Sequence, residues 1–361
     1  MSTTLWFDCE TFSECDLKAH GTPRYAEHPS TEIIVAQWAL DDGTPHVEDI
    51  TVAGAPSGTL QTLLEDSTVT VVAHNSFFDR TILRHCWSID VPIERWRDTM
   101  VKAMAHSLPG SLDKVGQILG LAADQAKDKR GRELIQLFCK PRPANQKLRR
   151  ATRETHPEQW AEFLEYSYQD IVAMRAIDGK LPKWNAKGRE LELWHLDQRI
   201  NDRGFAVDLE LARAAIEVTA VEKARLKAEV RDATNGLVDG PSKRDDLLVF
   251  ILAEYGVDLP DMRAETLRRR MEDPELPDGV KLLLSLRLEA TKTSTAKYQA
   301  LTKMVSADGR MRNTMQFCGA QRTGRWSHKG FQPGNMPRPD MKADEIELGI
   351  EALKGGYWML A

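Results

Sequence analysis

The stretch Thr4-Leu5-Trp6-Phe7-Asp8-Cys9-Glu10-Thr11-Phe12 decides the fold of the first half of the chain. Apolar and polar residues alternate along it, and this period of two predicts a β-strand. Residues two apart on a strand project to the same face, so Asp8 and Glu10 would converge while Phe7 and Cys9 face the other side. Two adjacent carboxylates repel each other unless a cation lies between them. Taken alone, the triplet also fits an ordinary surface strand.

Further strands and helices are predicted on both sides of this segment. In the first half, two apolar, β-branched runs indicate strands and three segments indicate helices: Ile33–Leu40, Thr68–Ala73, Asp79–Cys86, Asp98–Ala105 and Leu112–Leu119. Strands that precede helices favour an α/β or α+β layer structure. The second half is strongly helical, with a long helix that Asp208 caps and Asn235-Gly236 closes, and a predicted helix over Gly279–Leu301. Gly179-Lys180-Leu181-Pro182 is the best candidate boundary between the halves.

The composition is that of an ordinary globular protein. The chain has 361 residues, 42% of them hydrophobic and 29% charged, which suggests two domains and excludes a disordered or fibrous chain. No apolar run is long enough for a membrane helix and Met1-Ser2-Thr3-Thr4 does not resemble a signal peptide, so we expect a soluble cytoplasmic protein that binds no membrane. Five cysteines without a CxxC pair predict reduced thiols rather than disulfides or a zinc site.

The net charge of −5 does not by itself indicate a polyanionic partner. Its distribution is more informative, because Lys127 to Arg153 holds ten basic residues and only two acidic ones. A basic stretch beside clustered carboxylates would suit a metal site next to a track for a phosphate backbone. A solvated loop is an equally good interpretation of the charge alone.

Two further motifs carry polar groups with possible chemistry. His74-Asn75-Ser76-Phe77-Phe78-Asp79 lies where a predicted buried strand gives way to a helix. Tyr166-Ser167-Tyr168-Gln169-Asp170 lies on a predicted helix, where the i, i+4 spacing puts Tyr166 and Asp170 on one face. Each motif alone also fits a structural role: the first an Asn-Asp turn, the second an aromatic core contact.

Together, the three motifs resemble those of the DEDD superfamily of 3′-to-5′ exonucleases. The tyrosine at position 166 matches the DEDDy branch, whereas the histidine branch would need His at position 165, which is Glu165. The resemblance covers Thr4 to roughly Asn185 and implies an α/β, RNase H-like (DnaQ-like) domain with a mixed sheet flanked by helices. It also implies that Asn75 and Phe78 hold the terminal nucleotides of a single strand.

The resemblance implies a two-metal phosphodiester hydrolase. Two divalent ions can stabilise both the attacking and the leaving oxygen, and Mg²⁺ or Mn²⁺ prefers oxygen ligands. By analogy, Asp8 would bridge the two metals, Glu10, Asp79 and Asp170 would complete the ligand set, and Tyr166 would orient the attacking water. We expect Lys140 and Arg142, in the basic stretch, to contact single-stranded DNA.

The second half resembles the start of a family A DNA polymerase in its phage-type form. Arg322-Thr323-Gly324-Arg325-Trp326-Ser327 and Phe331-Gln332-Pro333-Gly334-Asn335-Met336-Pro337-Arg338 resemble the element that opens the palm, although Gly334 stands where a glutamine is expected. Ile200 to Asp208 resembles the start of the polymerase region. The resemblance implies an exonuclease domain over residues 1–185, a mainly helical thumb over 186–305 and an incomplete palm over 306–361. The expected duplex contacts are Lys292, Ser294, Arg322, Arg325, Gln332 and Asn335.

The sequence thus predicts the proofreading portion of a DNA polymerase, a metal-dependent 3′-to-5′ exodeoxyribonuclease that acts on single-stranded 3′ ends and primer-template DNA. The aspartates that family A polymerases use for nucleotidyl transfer would lie beyond residue 361. We therefore expect no primer extension by this chain alone, and a separate polypeptide that carries the remaining palm and fingers. An RNase D-like exoribonuclease and a non-catalytic DNA-binding subunit of a split polymerase are the alternatives.

Overall fold

The chain forms two compact units. The computed structural model describes residues 3–121, 129–292, 296–336, 339 and 341–357. One unit comprises Met1–Val207 with Lys303–Met336, and the other comprises Asp208–Thr302 with Pro337–Ala361. No helix among the described residues is long and apolar enough to cross a membrane. The domain boundaries near residues 185 and 305 remain predictions.

The first unit is built on a five-stranded mixed sheet. Its strands, in chain order, are β1 (Thr4–Phe12), β2 (Glu32–Leu40), β3 (His46–Asp49), β4 (Thr70–Ala73) and β5 (Trp96–Asp98). In space the order is β3-β2-β1-β4-β5. β2 runs antiparallel to both β1 and β3, whereas β4 runs parallel to both β1 and β5. The mixed α/β fold that the motifs imply is therefore confirmed.

Helices cover both faces of this sheet. They are α1 (Leu17–Ala26), α2 (Ile50–Ala53), α3 (Gly58–Glu65), α4 (Ser76–Cys86), α5 (Thr99–Ala105), α6 (Leu112–Ile118), α7 (Lys129–Phe138), α8 (Pro157–Lys180) and α9 (Arg189–Arg203). Leu5 and Phe7 of β1 are fully buried in a core with Ile82 of α4. Trp6 packs on the opposite face, against a core that includes Ile171 of α8. The alternation of β1 therefore serves two cores, one on each side of the sheet.

Helix α9 leads into short strands and a β-hairpin that complete the first unit. β6 (Phe205–Ala206) pairs with β7 (Arg310–Met311), and β8 (Met315–Ala320) pairs with β9 (Arg325–His328). The side chain of Asn201 donates to the carbonyl of Met315 and accepts from its N–H, at 3.1 and 3.0 Å. This two-way contact ties the hairpin to α9. A short 3-10 helix at Pro333–Asn335 follows β9.

The second unit is helical. Its helices are α10 (Leu209–Ala233), α11 (Arg244–Tyr255), α12 (Ala264–Met271), α13 (Asp278–Lys292) and α15 (Ala343–Lys354), while α14 (Ala296–Met304) continues into the first unit. Asp208 caps α10 by accepting the N–H of Leu211 at 2.9 Å, as predicted. Of the predicted helix Gly279–Leu301, the described residues are helical in α13 up to Lys292 and in α14 from Ala296, and residues 293–295 lie outside the described residues.

Candidate active site

Three of the predicted carboxylates meet at one point beside β1. Asp8, Glu10 and Asp170 each offer an oxygen atom, and these atoms lie within 4.8 Å of one another. Glu10 is 9% exposed and Asp170 2% exposed. Asp8 and Glu10 share a face of β1, and Asp170 reaches them from α8, which packs on that face. Residues 162 positions apart in sequence therefore form one acidic cluster.

Gln37 is a member of this site that the sequence analysis missed. It lies directly opposite Asp8 in the β1–β2 register, is fully buried, and donates its Nε2 hydrogen to Asp8 Oδ2 at 2.6 Å. A buried hydrogen bond of this kind fixes the orientation of the carboxylate. The available signal was a glutamine within the apolar run Ile33–Leu40, but its meaning depends on strand register.

Asp79 is the fourth carboxylate, and it comes from α4. It is 1% exposed, and its Oδ1 accepts a hydrogen bond from the Cys9 thiol at 3.6 Å. Burial, and next the charge of Asp8, raise the pKa of the Asp79 carboxyl well above its ordinary value. Burial also raises the pKa of the Cys9 thiol, with the charge of Asp79 as the next cause. The ionised form of Asp79 is therefore unfavourable here unless a positive charge compensates it.

The turn before α4 is held by a residue outside the motif. Asn75 adopts a left-handed conformation, with φ of 72°, which asparagine tolerates better than most residues. The N–H groups of Asn75 and Ser76 donate to the carboxylate of Asp98 at 3.1 and 2.8 Å. Because Asp98 satisfies these N–H groups, α4 begins at Ser76, three residues before the predicted start at Asp79.

Tyr166 lies one turn before Asp170 on α8, as predicted. Its ring stacks on Phe163 with ring centroids 6.4 Å apart and planes 8° from parallel. Gly131 of α7 gives the ring room, because a Cβ at that position would lie 1.9 Å from Cε2 of Tyr166. No local pattern in the sequence indicates this contact between α7 and α8.

A cavity of about 400 Å³ adjoins the acidic cluster, and its lining includes Glu10, Tyr25, Phe78 and Lys140. Phe78 is half-buried and its ring lies 6.0 Å from that of Tyr25. Lys140 is exposed. Apolar rings, a carboxylate and an ammonium group thus border one opening. Arg142 follows two residues later and is half-buried, with its backbone N–H bonded to the Arg149 carbonyl at 2.7 Å.

The residues predicted to contact duplex DNA lie on exposed parts of the chain, so far as the structure describes them. Arg322 lies between β8 and β9, and Arg325 begins β9. Asn335 donates to the side-chain oxygen of Gln332 at 2.9 Å. All four side chains are exposed. Lys292 ends α13 and its side chain is not described, and Ser294 lies outside the described residues. The duplex contacts remain predictions.

Comparisons with known proteins agree with the motifs. The chain is 35% identical over 358 residues to the DNA polymerase of Bacillus phage SP02, a match that covers 98% of this chain and 54% of that protein. It thus spans about half the length of this curated relative. The POL domain of Pol1 from M. smegmatis, solved with DNA primer-template and dNTP, aligns with 94% of this chain and 53% of its own length, at a TM-score of 0.57 and 15% identity. No family model matches. The predicted resemblance to a phage DNA polymerase is therefore confirmed: along nearly its whole length, the chain is related to part of the SP02 polymerase, and it shares the fold of the Pol1 POL domain.

Proposed function

We propose that the chain is a metal-dependent 3′-to-5′ exodeoxyribonuclease that removes nucleotides from DNA ends as the proofreading part of a DNA polymerase. The observation that carries this proposal is the convergence of Asp8, Glu10 and Asp170, whose oxygen atoms lie within 4.8 Å of one another. Relatedness to a phage DNA polymerase supports DNA as the substrate. Exonuclease activity, proofreading and the identity of the metal all belong to the proposal.

The residues present fit divalent cations. The donors are carboxylate oxygens, which Mg²⁺ and Mn²⁺ prefer, and the buried Asp79 carboxyl is destabilised as an anion unless a cation compensates it. Asp8, Glu10, Asp79 and Asp170 would hold two such ions. When bound, the ions would supply an activated water and stabilise the charge that develops on the attacking and leaving oxygens.

The protein's own side chains would position the substrate and the water. The Tyr166 hydroxyl, held by the packing of its ring, would accept or donate a hydrogen bond to the attacking water and so orient it. Gln37 would keep Asp8 in one orientation. The Phe78 ring offers a stacking surface for a base, and the Lys140 ammonium offers a contact for phosphate.

The test is a nuclease assay on purified protein with 3′-recessed and single-stranded DNA, and with single-stranded RNA of the same sequence. We expect shortening of DNA from its 3′ end with Mg²⁺ or Mn²⁺, none with EDTA, and a loss of several orders of magnitude in Asp8→Ala. Asp42→Ala, at a fully exposed aspartate, is the matched control. Digestion by Asp8→Ala in EDTA would contradict the proposal, and a preference for RNA would favour the exoribonuclease instead.

The polymerase context is also a proposal, because the chain spans about half of its curated relative. We propose that this chain contributes editing and duplex binding. Nucleotide incorporation would then need the counterpart of the remaining half, on the same or a separate polypeptide. Template-directed incorporation of dNTP by residues 1–361 alone would overturn this division of labour.

A further inference from the structure

A second cavity lies in the first unit, beside the N-terminal half of β1 and β4. Its volume is about 430 Å³, within the range of small-molecule sites, and its lining does not include the four carboxylates of the candidate active site. Trp6, Val72, Trp194 and Phe317 supply apolar and aromatic walls. The cavity is therefore a separate feature that the proposed nuclease chemistry does not use.

Two buried polar groups on its wall have no hydrogen-bond partner among the described residues. Asn185 is 9% exposed, and both its Nδ2 and its Oδ1 are buried and unpaired. Trp194 is 2% exposed, and its Nε1–H is likewise unpaired. Buried polar groups are normally paired, because an unsatisfied one carries a large desolvation cost. Both residues line the same cavity, so a ligand there could satisfy both.

The ammonium group of Lys102 lies on the same wall, and one of its hydrogens is not used by its contacts with Asp178. Lys102 is 7% exposed, and its ammonium group donates to the side chain and to the backbone carbonyl of Asp178 at 2.7 and 2.9 Å. An ammonium group has three hydrogens, and the Asp178 contacts occupy two. Lys183 and Lys187 also line the cavity and are exposed, at its solvent side.

We propose that this cavity binds a single nucleotide through its base, with adenine preferred. An unpaired carboxamide presents an acceptor and a donor side by side, which match the N6 and N7 positions of adenine in a bidentate pair. Aromatic walls suit a planar ring, and the indole N–H and the ammonium suit further acceptor atoms. The exposed Lys183 and Lys187 are placed for a phosphate group. The proposal does not depend on the nuclease assignment.

The test is calorimetric titration with dAMP in EDTA, which removes divalent ions from the carboxylate cluster. We expect saturable binding of one dAMP per chain. Asn185→Leu should weaken it at least tenfold without lowering the melting temperature of the free protein, because leucine removes an unsatisfied amide. Asn145→Leu, the same change at an exposed position, should bind dAMP as the wild type does.

A second pair of variants keeps the proposal testable if Asn185→Leu folds poorly. Trp194→Phe keeps an aromatic wall but loses the N–H, and should weaken binding, whereas Trp184→Phe, at a side chain 68% exposed, should not. Deoxyadenosine that binds within tenfold of dAMP would support recognition of the base. Binding of inorganic phosphate as tightly as dAMP, unchanged affinity in both Asn185→Leu and Trp194→Phe, or no saturable binding by any mononucleotide would overturn it.

Discussion

The ring of Tyr166 is packed so closely on Gly131 that α7 has no room there for a side chain. A Cβ on Gly131 would lie 1.9 Å from the ring, far inside van der Waals contact. The ring also stacks on Phe163 in a nearly parallel arrangement. These contacts restrict the ring to one orientation, which a hydroxyl that orients a water molecule requires.

We therefore expect Gly131→Ala to lower the rate of DNA hydrolysis by roughly 10 to 10³-fold, the scale of one misplaced orienting group, as Tyr166→Phe should. DNA affinity should be unchanged, and single-turnover kinetics separate the two quantities. Gly179→Ala is the matched control, since no atom lies within 4 Å of the added Cβ on α8. Full activity in Gly131→Ala or Tyr166→Phe would indicate that the ring serves packing alone.

Asp79 makes stability depend on pH. Burial and the Asp8 charge raise the pKa of its carboxyl in the folded protein. The folded state therefore holds this proton more tightly than the unfolded chain does. The proton on Asp79 stabilises the folded state fully at pH values below the ordinary pKa of an aspartate. This stabilisation is lost as the pH rises through the pKa that Asp79 has in the folded protein.

In chelator at alkaline pH, Asp79→Asn should be more stable than the wild type by about 1 kcal/mol or more, because the amide avoids burying a charge. The difference should shrink on acidification, and urea unfolding at several pH values measures it. Asp66→Asn is the control, and its effect on stability at alkaline pH should have the opposite sign. Hydrogen bonds from the Thr68 backbone and side chain lower the pKa of that exposed carboxyl, so its charged form stabilises the folded protein. A wild type more stable than Asp79→Asn at every pH in chelator would contradict this argument.

Sequence reasoning could find the four carboxylates because each lies in a short motif with fixed spacing. Strand periodicity predicts that Asp8 and Glu10 converge, whereas the resemblance to the DEDD exonucleases implies that Asp170 joins them, as it does in the structure. Gln37 and Gly131 could not be found in this way. Gln37 matters because strand pairing places it opposite Asp8, and Gly131 matters because helix packing places it against Tyr166. Neither contact is local in sequence.

At the scale of elements, α4 is fixed to α9 by a buried arginine. Arg80 directly follows Asp79 and is 2% exposed. Its guanidinium forms an ion pair with Asp202 and donates to Gln198 Oε1 at 2.9 Å. Both partners lie on α9, so the helix that carries Asp79 is anchored to the helix that also holds the β8–β9 hairpin.

Replacing Arg80 with leucine should lower the free energy of unfolding by about 2–4 kcal/mol, because Gln198 and Asp202 lose a buried partner. Arg84→Leu is the matched control one turn later on α4. Arg84 pairs with Asp90 at 2.8 Å on the surface, so its loss should cost less than about 1 kcal/mol. Equal losses from the two substitutions in urea unfolding would argue against the anchoring role.

Elements with strong local signals were predicted well. Helix α10 runs from Leu209 to Ala233, between the expected cap at Asp208 and the expected stop. The local pattern does not indicate β3 and β5, because these short segments have neither periodicity nor the apolar, β-branched run that marks β4, and pairing with a neighbouring strand defines them. The sequence pattern of α7 indicates only a basic stretch, because its charged residues obscure the apolar face that packs on α8.

At the scale of the whole molecule, each compact unit has a core of its own. In the second unit the core joins α10, α11, α12 and α13, and Leu284 of α13 is fully buried in it. The carboxylates of the candidate active site belong entirely to the first unit. Damage to the helical core should therefore leave the carboxylate site intact.

Leu284→Ala tests this independence. The cavity it creates should destabilise the second unit by about 2–5 kcal/mol, whereas Leu282→Ala, on the same helix but 48% exposed, should cost less than about 1 kcal/mol. Calorimetry should show a lower transition temperature in Leu284→Ala for the helical unit alone. Below that transition temperature, the metal-dependent shortening of a short single-stranded oligonucleotide should proceed at the wild-type rate. We expect such a substrate to contact only residues of the first unit. Loss of this activity in a folded Leu284→Ala protein would mean that the helical core supports the carboxylate site, and the two units could not then be treated as separate in stability or in function.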